Sequence, residues 1–150
     1  MKLILGTAQL GMDYGITNQN GRASSSEAKT VIQLAEKSGI KYLDTAVAYG
    51  DSEKLLGDFS ISSNIITKLP RIPDDLMDVE DFVRDTVINS LKKLRRKSLY
   101  GLLLRDVNEK SKKRLFKLLK ILEKLKKENL VLKIGVSIYQ PSDLEFFFNE

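Results

Sequence analysis

Three side chains with complementary acid–base chemistry lie at or just after the ends of two predicted strands. An apolar run that starts at Ile40 ends in Asp44, and Tyr49 follows on the next loop. A second apolar run ends in Lys68. Because α/β proteins with parallel sheets place ligands at the carboxyl ends of their strands, we expect these side chains to lie close together. An ammonium group beside a phenol favours the phenolate, and a carboxylate holds the ammonium in place, so the set is suited to proton transfer.

A simpler, structural explanation of the first two residues stays open. In that explanation Asp44 caps a turn and Tyr49 packs against it. Gly50 breaks the loop and Ser52 is placed to cap the following helix, and both explanations share these features. The lysine at the end of the next strand is the observation that favours the chemical hypothesis.

Composition excludes several classes of catalytic and metal site. The 150 residues suit one domain with a moderate core. There is no cysteine and no histidine, so thiolate chemistry, Ser-His-Asp catalysis and imidazole ligation are all excluded. We therefore expect no metal centre. The apolar run at the amino end is too short for a signal peptide or a membrane span, so we expect a cytoplasmic protein without a membrane segment.

The net charge of +5 raises the question of nucleic-acid binding. The lysines recur at helical spacing opposite a stripe of leucines, which is typical of a solvated helix face. No aromatic residue interleaves with them to stack on bases. We therefore do not expect a nucleic-acid partner. The leucines are Leu115, Leu118, Leu119, Leu122 and Leu125, and the lysines are Lys113, Lys117, Lys120, Lys124 and Lys127.

Strands and helices are predicted to alternate along the whole chain. Predicted strands cover residues 2–5, 40–44, 64–68, 99–104 and 131–137. Predicted helices run from a capping box at 24–27 to a stop at Gly39, from 52 to 56 with closure at Gly57, from 79 to 94, from 109 to 127, and onward from Pro141. This order predicts a parallel sheet with right-handed crossovers.

The glycine pattern favours a barrel over a dinucleotide-binding sheet. Gly6, Gly11 and Gly15 do not form the G-x-G-x-x-G fingerprint. A complete (β/α) barrel has eight units and about 250 residues. We therefore predict a parallel TIM-barrel type of α/β fold truncated to about five β/α units, in one partial-barrel domain over residues 1–150.

Several motifs, in order along essentially the whole chain, resemble the aldo-keto reductase family. They are Gly-Thr-Ala-Gln-Leu-Gly at 6–11, Leu-Asp-Thr-Ala at 43–46, Tyr-Gly-Asp-Ser-Glu at 49–53, Lys68, Ser-Leu-Tyr-Gly-Leu-Leu-Leu at 98–104 and Ile-Gly-Val-Ser at 134–137. The resemblance implies an oxidoreductase that reduces aldehydes or ketones, which are small-molecule carbonyl substrates, with NADP or NAD as cofactor.

The resemblance also implies roles for individual residues. Tyr49 would be the general acid, Lys68 would make it a stronger acid, and Asp44 would anchor Lys68. Gly6 and Thr7, together with Asp44, would lie near the cofactor, and Ser137 would match the serine that holds the nicotinamide amide.

Arg105 stands where the family usually has a histidine that orients the carbonyl. Arginine stays charged and offers a planar fork of donors, so it could bind a carbonyl oxygen or a substrate carboxylate but could not shuttle a proton. The alternative is a salt bridge from Arg105 to a nearby acid such as Asp106 or Asp44.

The family's later strands, which hold most of the cofactor, have no counterpart in these 150 residues. We therefore expect the chain to act as an amino-terminal segment that is inactive alone, and to self-associate or pair with a complementary half-barrel. The alternative is a non-catalytic remnant that serves as an assembly or binding module. Either the sheet edges or a helix carrying Phe146, Phe147 and Phe148 would be covered by a second copy, unless that helix folds back over the open side of a monomer.

Overall fold

The computed structural model describes residues 3–107 and 111–143. They form a sheet of five parallel strands whose spatial order follows the chain, β1-β2-β3-β4-β5. The strands are β1 (Ile4–Gly6), β2 (Tyr42–Asp44), β3 (Asn64–Lys68), β4 (Leu99–Leu104) and β5 (Val131–Val136). The helices are α1 (Ala8–Gly11), α2 (Ser25–Lys37), α3 (Ser52–Asp58), α4 (Val79–Leu94) and α5 (Lys112–Lys127). The predicted parallel β/α alternation is confirmed.

One face of the sheet is buried under the longer helices. The central strands contribute Leu43, Ile65, Leu102 and Leu104, each at most 3% exposed. They pack in one core with residues of α2, α4 and α5, which include Ile32, Val83, Val87, Leu118 and Leu122. Burying each such side chain contributes about 1.5–3 kcal/mol relative to leaving it in water.

The other face of the sheet is more open among the described residues. Ile66 and Leu103 alternate with buried neighbours along their strands and are only half-buried. A side chain at Gly101 would contact Ile66, and a side chain at Gly135 would contact Leu103, so these positions share a face. This is the face that would line the interior of a closed barrel.

The capping box predicted at the start of α2 is confirmed. Ser24 Oγ accepts a hydrogen bond from the Glu27 amide at 3.3 Å, and the Glu27 carboxylate accepts one from the Ser24 amide at 2.8 Å. Hydrogen bonds from Ser24 hold the pKa of Glu27 below its usual value. The predicted stop is also present, because Gly39 follows α2 with a φ of +78°, which glycine adopts without strain.

The end of α3 was predicted wrongly. The expectation was closure at Gly57, but the helix continues to Asp58. A side chain on Gly57 would lie 2.1 Å from the carbonyl oxygen of Lys93, at the end of α4. The glycine therefore permits a close approach between two helices instead of ending one of them.

The remaining differences concern short segments and ends. The short helix α1 was not predicted, and β2 begins two residues later than expected. Ser111 caps α5, which therefore starts at Lys112; the expected start at Glu109 lies outside the described residues. The residues after Asp143, with the three phenylalanines, lie outside them too.

The predicted division of α5 into two faces is present. All five lysines named above are exposed, and four of the five leucines are buried while Leu119 is half-buried. In the described part of the chain, no helix combines the length and apolar character needed to cross a membrane.

Candidate active site

Lys68 and Asp44 form an ion pair at the carboxyl ends of adjacent strands. Lys68 Nζ lies 2.5 Å from Asp44 Oδ2 and also donates to the carbonyl oxygen of Thr45 at 3.0 Å. Asp44 is in register with Ile66, so Lys68 lies two residues further along β3 and points to the same face as Ile66. The lysine side chain is only 11% exposed, so its ammonium group depends on these acceptors in place of water.

Tyr49 lies against this ion pair. Its ring centroid is 5.1 Å from Lys68 Nζ, within the usual range of a cation–π contact. The structure thus brings together three residues that the sequence singled out. The carboxylate of Asp44 pairs with Lys68, and among the described residues it accepts no hydrogen bond from a backbone amide of the turn, so turn capping does not describe this side chain.

The loop that carries Tyr49 packs tightly against the end of α1. A side chain on Gly11 would lie 1.8 Å from the carbonyl oxygen of Tyr49. Gly50 has a φ of +54°, and a side chain there would lie 2.4 Å from the carbonyl oxygen of Gly11. An ion pair from Arg22 to Asp51 at 2.9 Å ties the following residue to the loop after α1. The two glycines therefore allow two backbones to touch and so fix the position of the phenol.

A chain of buried hydroxyl groups supports the strand ends below the site. Thr45 Oγ1 donates to Ser52 Oγ at 3.1 Å, Ser52 Oγ donates to Thr7 Oγ1 at 2.8 Å, and Thr7 Oγ1 donates to the carbonyl oxygen of Asp44 at 3.0 Å. All three hydroxyl residues are fully buried. The expectation that Ser52 caps α3 was wrong: Asp51 is the capping position, and the serine hydroxyl is used within this chain.

A buried carboxylate that the sequence reasoning missed braces the other strand end. Glu53 is 1% exposed and accepts hydrogen bonds from Thr67 at 2.8 Å and from Ser90 at 3.2 Å. Thr67 immediately precedes Lys68. Glu53 thereby links α3, β3 and α4 next to the lysine of the site.

Asp44, Tyr49 and Lys68 are called the triad below, and a cleft of about 360 Å³ opens beside the first two of them. Its lining includes Gly6, Thr7, Asp44 and Tyr49, so three of the four residues predicted to bind a cofactor share one cleft with the phenol. A side chain at Gly6 would meet nothing within 4 Å, which shows that this backbone faces open space. The hydroxyl of Thr7 is already engaged with Asp44, so this residue forms the floor of the cleft.

A larger cleft of about 1020 Å³ lies along α5, between Asp74 and the side chains of Lys113 and Lys117. None of the triad residues lines it. Volume alone therefore does not locate the chemistry, and the smaller cleft is the better candidate because Asp44 and Tyr49 line it.

Arg105 and Ser137 lie just after the neighbouring strands β4 and β5, at the same end of the parallel sheet as Asp44 and Lys68. Arg105 donates to the Tyr139 hydroxyl at 3.0 Å. A salt bridge from Arg105 to Asp106 or Asp44 is not among the ion pairs of the described residues, and Glu109, another acid close in sequence, lies outside them. The Ser137 amide donates to the carbonyl oxygen of Leu104 at 2.7 Å. Ser137 follows the edge strand opposite β1 and does not line the cleft at Gly6.

Metal-ligating side chains do not cluster in the part of the chain that the structure describes, where no three Asp or Glu residues are placed to hold an ion.

Solved structures similar to this chain share its fold. A putative aldo-keto reductase from Pseudomonas aeruginosa is 27% identical, with a TM-score of 0.73, over 89% of this chain and 54% of its own. The holo form of an aldo-keto reductase from Bacillus halodurans is 19% identical, with a TM-score of 0.76, over 99% of this chain and 49% of its own. A glycerol dehydrogenase from Gluconobacter oxydans is 22% identical, with a TM-score of 0.70, over 97% of this chain and 47% of its own.

These likenesses confirm the predicted barrel type of fold, and the chain spans about half the length of the structures it matches. No curated protein sequence matches the chain significantly. The model of the Aldo/keto reductase family matches residues 2–147, which is nearly the whole sequence. The chain therefore belongs to the aldo/keto reductase family.

Proposed function

We propose that Asp44, Lys68 and Tyr49 form the proton-donating centre of an NAD(P)H-dependent reduction of an aldehyde or ketone. The observation that carries this proposal is the position of the Lys68 ammonium group, 2.5 Å from the Asp44 carboxylate and 5.1 Å from the Tyr49 ring centroid. Membership of the aldo/keto reductase family supports it.

Each residue of the triad has a distinct task in this reaction. The Tyr49 phenol donates its proton to the carbonyl oxygen, and the Lys68 ammonium group stabilises the phenolate that remains. Asp44 and the carbonyl oxygen of Thr45 hold the ammonium group in place. When bound, NAD(P)H supplies the hydride that adds to the carbonyl carbon. The carbonyl compound leaves as an alcohol, and water returns a proton to the phenolate.

The described residues fit the reactive end of this cofactor. Gly6 and Asp44 line a cleft of about 360 Å³, which has room for the nicotinamide ring beside Tyr49 but not for both nucleotides. We therefore expect weak binding by this chain. Titration with NADPH, followed by nicotinamide fluorescence, should show no saturable change at micromolar cofactor. A Kd below about 1 μM, which corresponds to roughly −8 kcal/mol, would contradict this expectation.

The proposal is tested by turnover at millimolar NADPH, so that weak cofactor binding does not hide the chemistry. With 4-nitrobenzaldehyde as substrate, oxidation of NADPH followed by absorbance should proceed slowly in the unaltered chain. Tyr49→Phe should lower the rate by about 100-fold or more, because a positioned general acid contributes typically 10²–10⁴-fold. Tyr100→Phe is the matched control, because Tyr100 lies near the amino end of β4 and lines a different cleft, and it should keep the rate. Equal rates in the unaltered chain and Tyr49→Phe would overturn the proposal.

A second candidate function, an assembly module, is favoured by the exposed apolar residues of the two edge strands. Ile4 on β1 is 54% exposed and Leu132 on β5 is 50% exposed. Each of these strands has a neighbouring strand on one side only among the described residues. Unpaired strand edges favour addition of another chain. A second copy or a complementary half-barrel is the partner that this function requires.

A further inference from the structure

We propose that Arg105 recognises a carboxylate group on the substrate, so that the site takes aldehydes or ketones that carry an acid group. This inference rests on the proposed function, because it adds a substrate class to the same site. It follows from the position of Arg105 just after β4, from its hydrogen-bond partner and from its charge.

Arg105 follows β4, the strand adjacent to the one that ends in Lys68. Lys68 on β3 is in register with Leu103 on β4, and the Leu69 amide donates to the carbonyl oxygen of Leu103 at 3.0 Å. Arg105 follows Leu103 by two residues, and the chain then turns at Asp106, whose φ is +53°. The guanidinium group is therefore carried at the same end of the sheet as Lys68, on the adjacent strand.

The charge of Arg105 is not neutralised within the described residues. Its described hydrogen bond goes to the hydroxyl of Tyr139, a neutral acceptor. Other arginines of the chain pair with carboxylates: Arg22 with Asp51, Arg84 with Glu128, Arg95 with Asp58 and Arg114 with Asp74. A guanidinium group has five N–H donors, and the hydrogen bond to the Tyr139 hydroxyl uses one of them.

The guanidinium group is also held in a defined place. The loop that carries Tyr139 is fixed by Asp143, a carboxylate 5% exposed that accepts hydrogen bonds from the Tyr139 amide at 2.9 Å and the Gln140 amide at 3.1 Å. Tyr139 is itself 71% exposed, so the hydrogen-bonded pair lies at the protein surface. The planar set of N–H donors of a guanidinium group fits the two oxygens of a carboxylate better than it fits a single carbonyl oxygen.

The experiment measures binding of 4-carboxybenzaldehyde and of its neutral methyl ester, methyl 4-formylbenzoate, by chemical-shift titration of the full chain without cofactor. The unaltered chain should bind the acid about 10-fold or more tightly than the ester, as expected for a hydrogen-bonded charged group. Arg105→Met should remove this preference. Arg105→Lys should keep part of it, because lysine has the same charge but lacks the planar set of N–H donors. Arg95→Met is the control: it removes the same charge just before β4 begins, at the opposite end of that strand, and should leave the preference intact.

Each result decides the question. Equal affinity for acid and ester in the unaltered chain, no binding of either, or a preference that survives Arg105→Met would overturn the proposal. Loss of the preference in Arg95→Met as well would also overturn it, because it would show a general effect of net charge. Since the titration needs neither cofactor nor turnover, a preference that depends on Arg105 in a chain without reductase activity would leave this inference standing while the proposed function failed.

Discussion

Lys68 is the residue on which the candidate site depends most, because its charged side chain is nearly buried. Only 11% of its side chain is exposed, against 30% for Asp44. The two partners are therefore not equivalent. Removing the lysine leaves a carboxylate that water can partly hydrate, whereas removing the carboxylate charge leaves an enclosed ammonium group with only the Thr45 carbonyl oxygen as acceptor among the described partners.

This asymmetry predicts the order of two substitutions. Asp44→Asn should lower the free energy of unfolding by about 2 kcal/mol, because an enclosed charge loses its counter-ion. Lys68→Met should cost less than Asp44→Asn. Urea unfolding of both variants at pH 7 measures the difference. A larger loss for Lys68→Met would show that the buried hydrocarbon stem and not the charge dominates.

The sequence reveals the triad but not the residues that brace it. Asp44, Tyr49 and Lys68 could be found because strand ends are visible as apolar runs that stop at a polar residue. Glu53 could not be found this way, because its partners Thr67 and Ser90 lie 14 and 37 residues away. A buried acid is recognisable only when the tertiary structure shows which hydroxyl groups reach it.

At the scale of elements, Glu36 joins the end of α2 to the segment before β3. One of its carboxylate oxygens accepts hydrogen bonds from the amide and hydroxyl of Ser62, both at 2.8 Å, and from the amide and hydroxyl of Ser63 at 3.1 and 3.0 Å. Partial burial tends to raise the pKa of Glu36, but these hydrogen bonds outweigh it and the net pKa is lowered from the ordinary value of 4.5. The junction is therefore held by the ionised form.

The lowered pKa gives this junction a pH dependence with a definite sign. Because the folded pKa is below the unfolded one, the stabilisation is fully present above pH 4.5 and is lost as pH falls through the folded value. Glu36→Gln should therefore unfold more easily than the unaltered chain at pH 6–7, and the gap should narrow below about pH 4.5. Urea unfolding between pH 3 and 7 measures it, with the exposed Glu123→Gln on α5 as control. A gap that stays constant over this range would rule out the ionised carboxylate as the cause.

Gly57 shows why helix ends are harder to predict than helices. In the sequence a glycine after an apolar run is a stop signal. The same absence of a side chain also allows two helices to approach closely, and only the packing of α3 on α4 distinguishes the two uses. Helices and strands are thus predictable from the periodicity of apolar residues. The end of α3 is not, because it depends on packing against Lys93, far along the chain.

The close approach at Gly57 predicts an unfavourable effect of alanine. Helix propensity alone would make Gly57→Ala stabilising by up to about 1 kcal/mol. The new methyl group would lie 2.1 Å from the Lys93 carbonyl oxygen, a backbone atom, so the helices must separate. We expect a net loss of about 1–3 kcal/mol in thermal or urea unfolding. Gly6→Ala, where the methyl group meets nothing within 4 Å, is the control and should change stability little; a stabilised Gly57→Ala would show that α3 and α4 are not packed this closely.

At the scale of the whole molecule, the sheet combines one covered face with one open face and two edges. Leu3, Ile4 and Leu132 on or beside the edge strands are each at least 50% exposed. Half-buried Ile66 and Leu103 lie on the open face. Each 100 Å² of apolar surface removed from water is worth about 2.5 kcal/mol, so covering a few hundred Å² would contribute as much as the stability of a whole domain.

These surfaces predict that the chain associates in solution. We expect a dimer or larger assembly in which the edge strands or the open face are covered by a second copy, with a molecular mass above 17.0 kDa by light scattering. Lysine on an edge strand opposes pairing, so Ile4→Lys or Leu132→Lys should shift the population towards the monomer. Leu34→Lys is the matched control, because Leu34 is 64% exposed but lies on α2, away from both edges, and it should leave the assembly unchanged. The molecular mass is measured by light scattering across a hundredfold dilution. A monomer mass at every concentration of the unaltered chain would contradict association and would show that a second copy does not cover the edge strands or the open face.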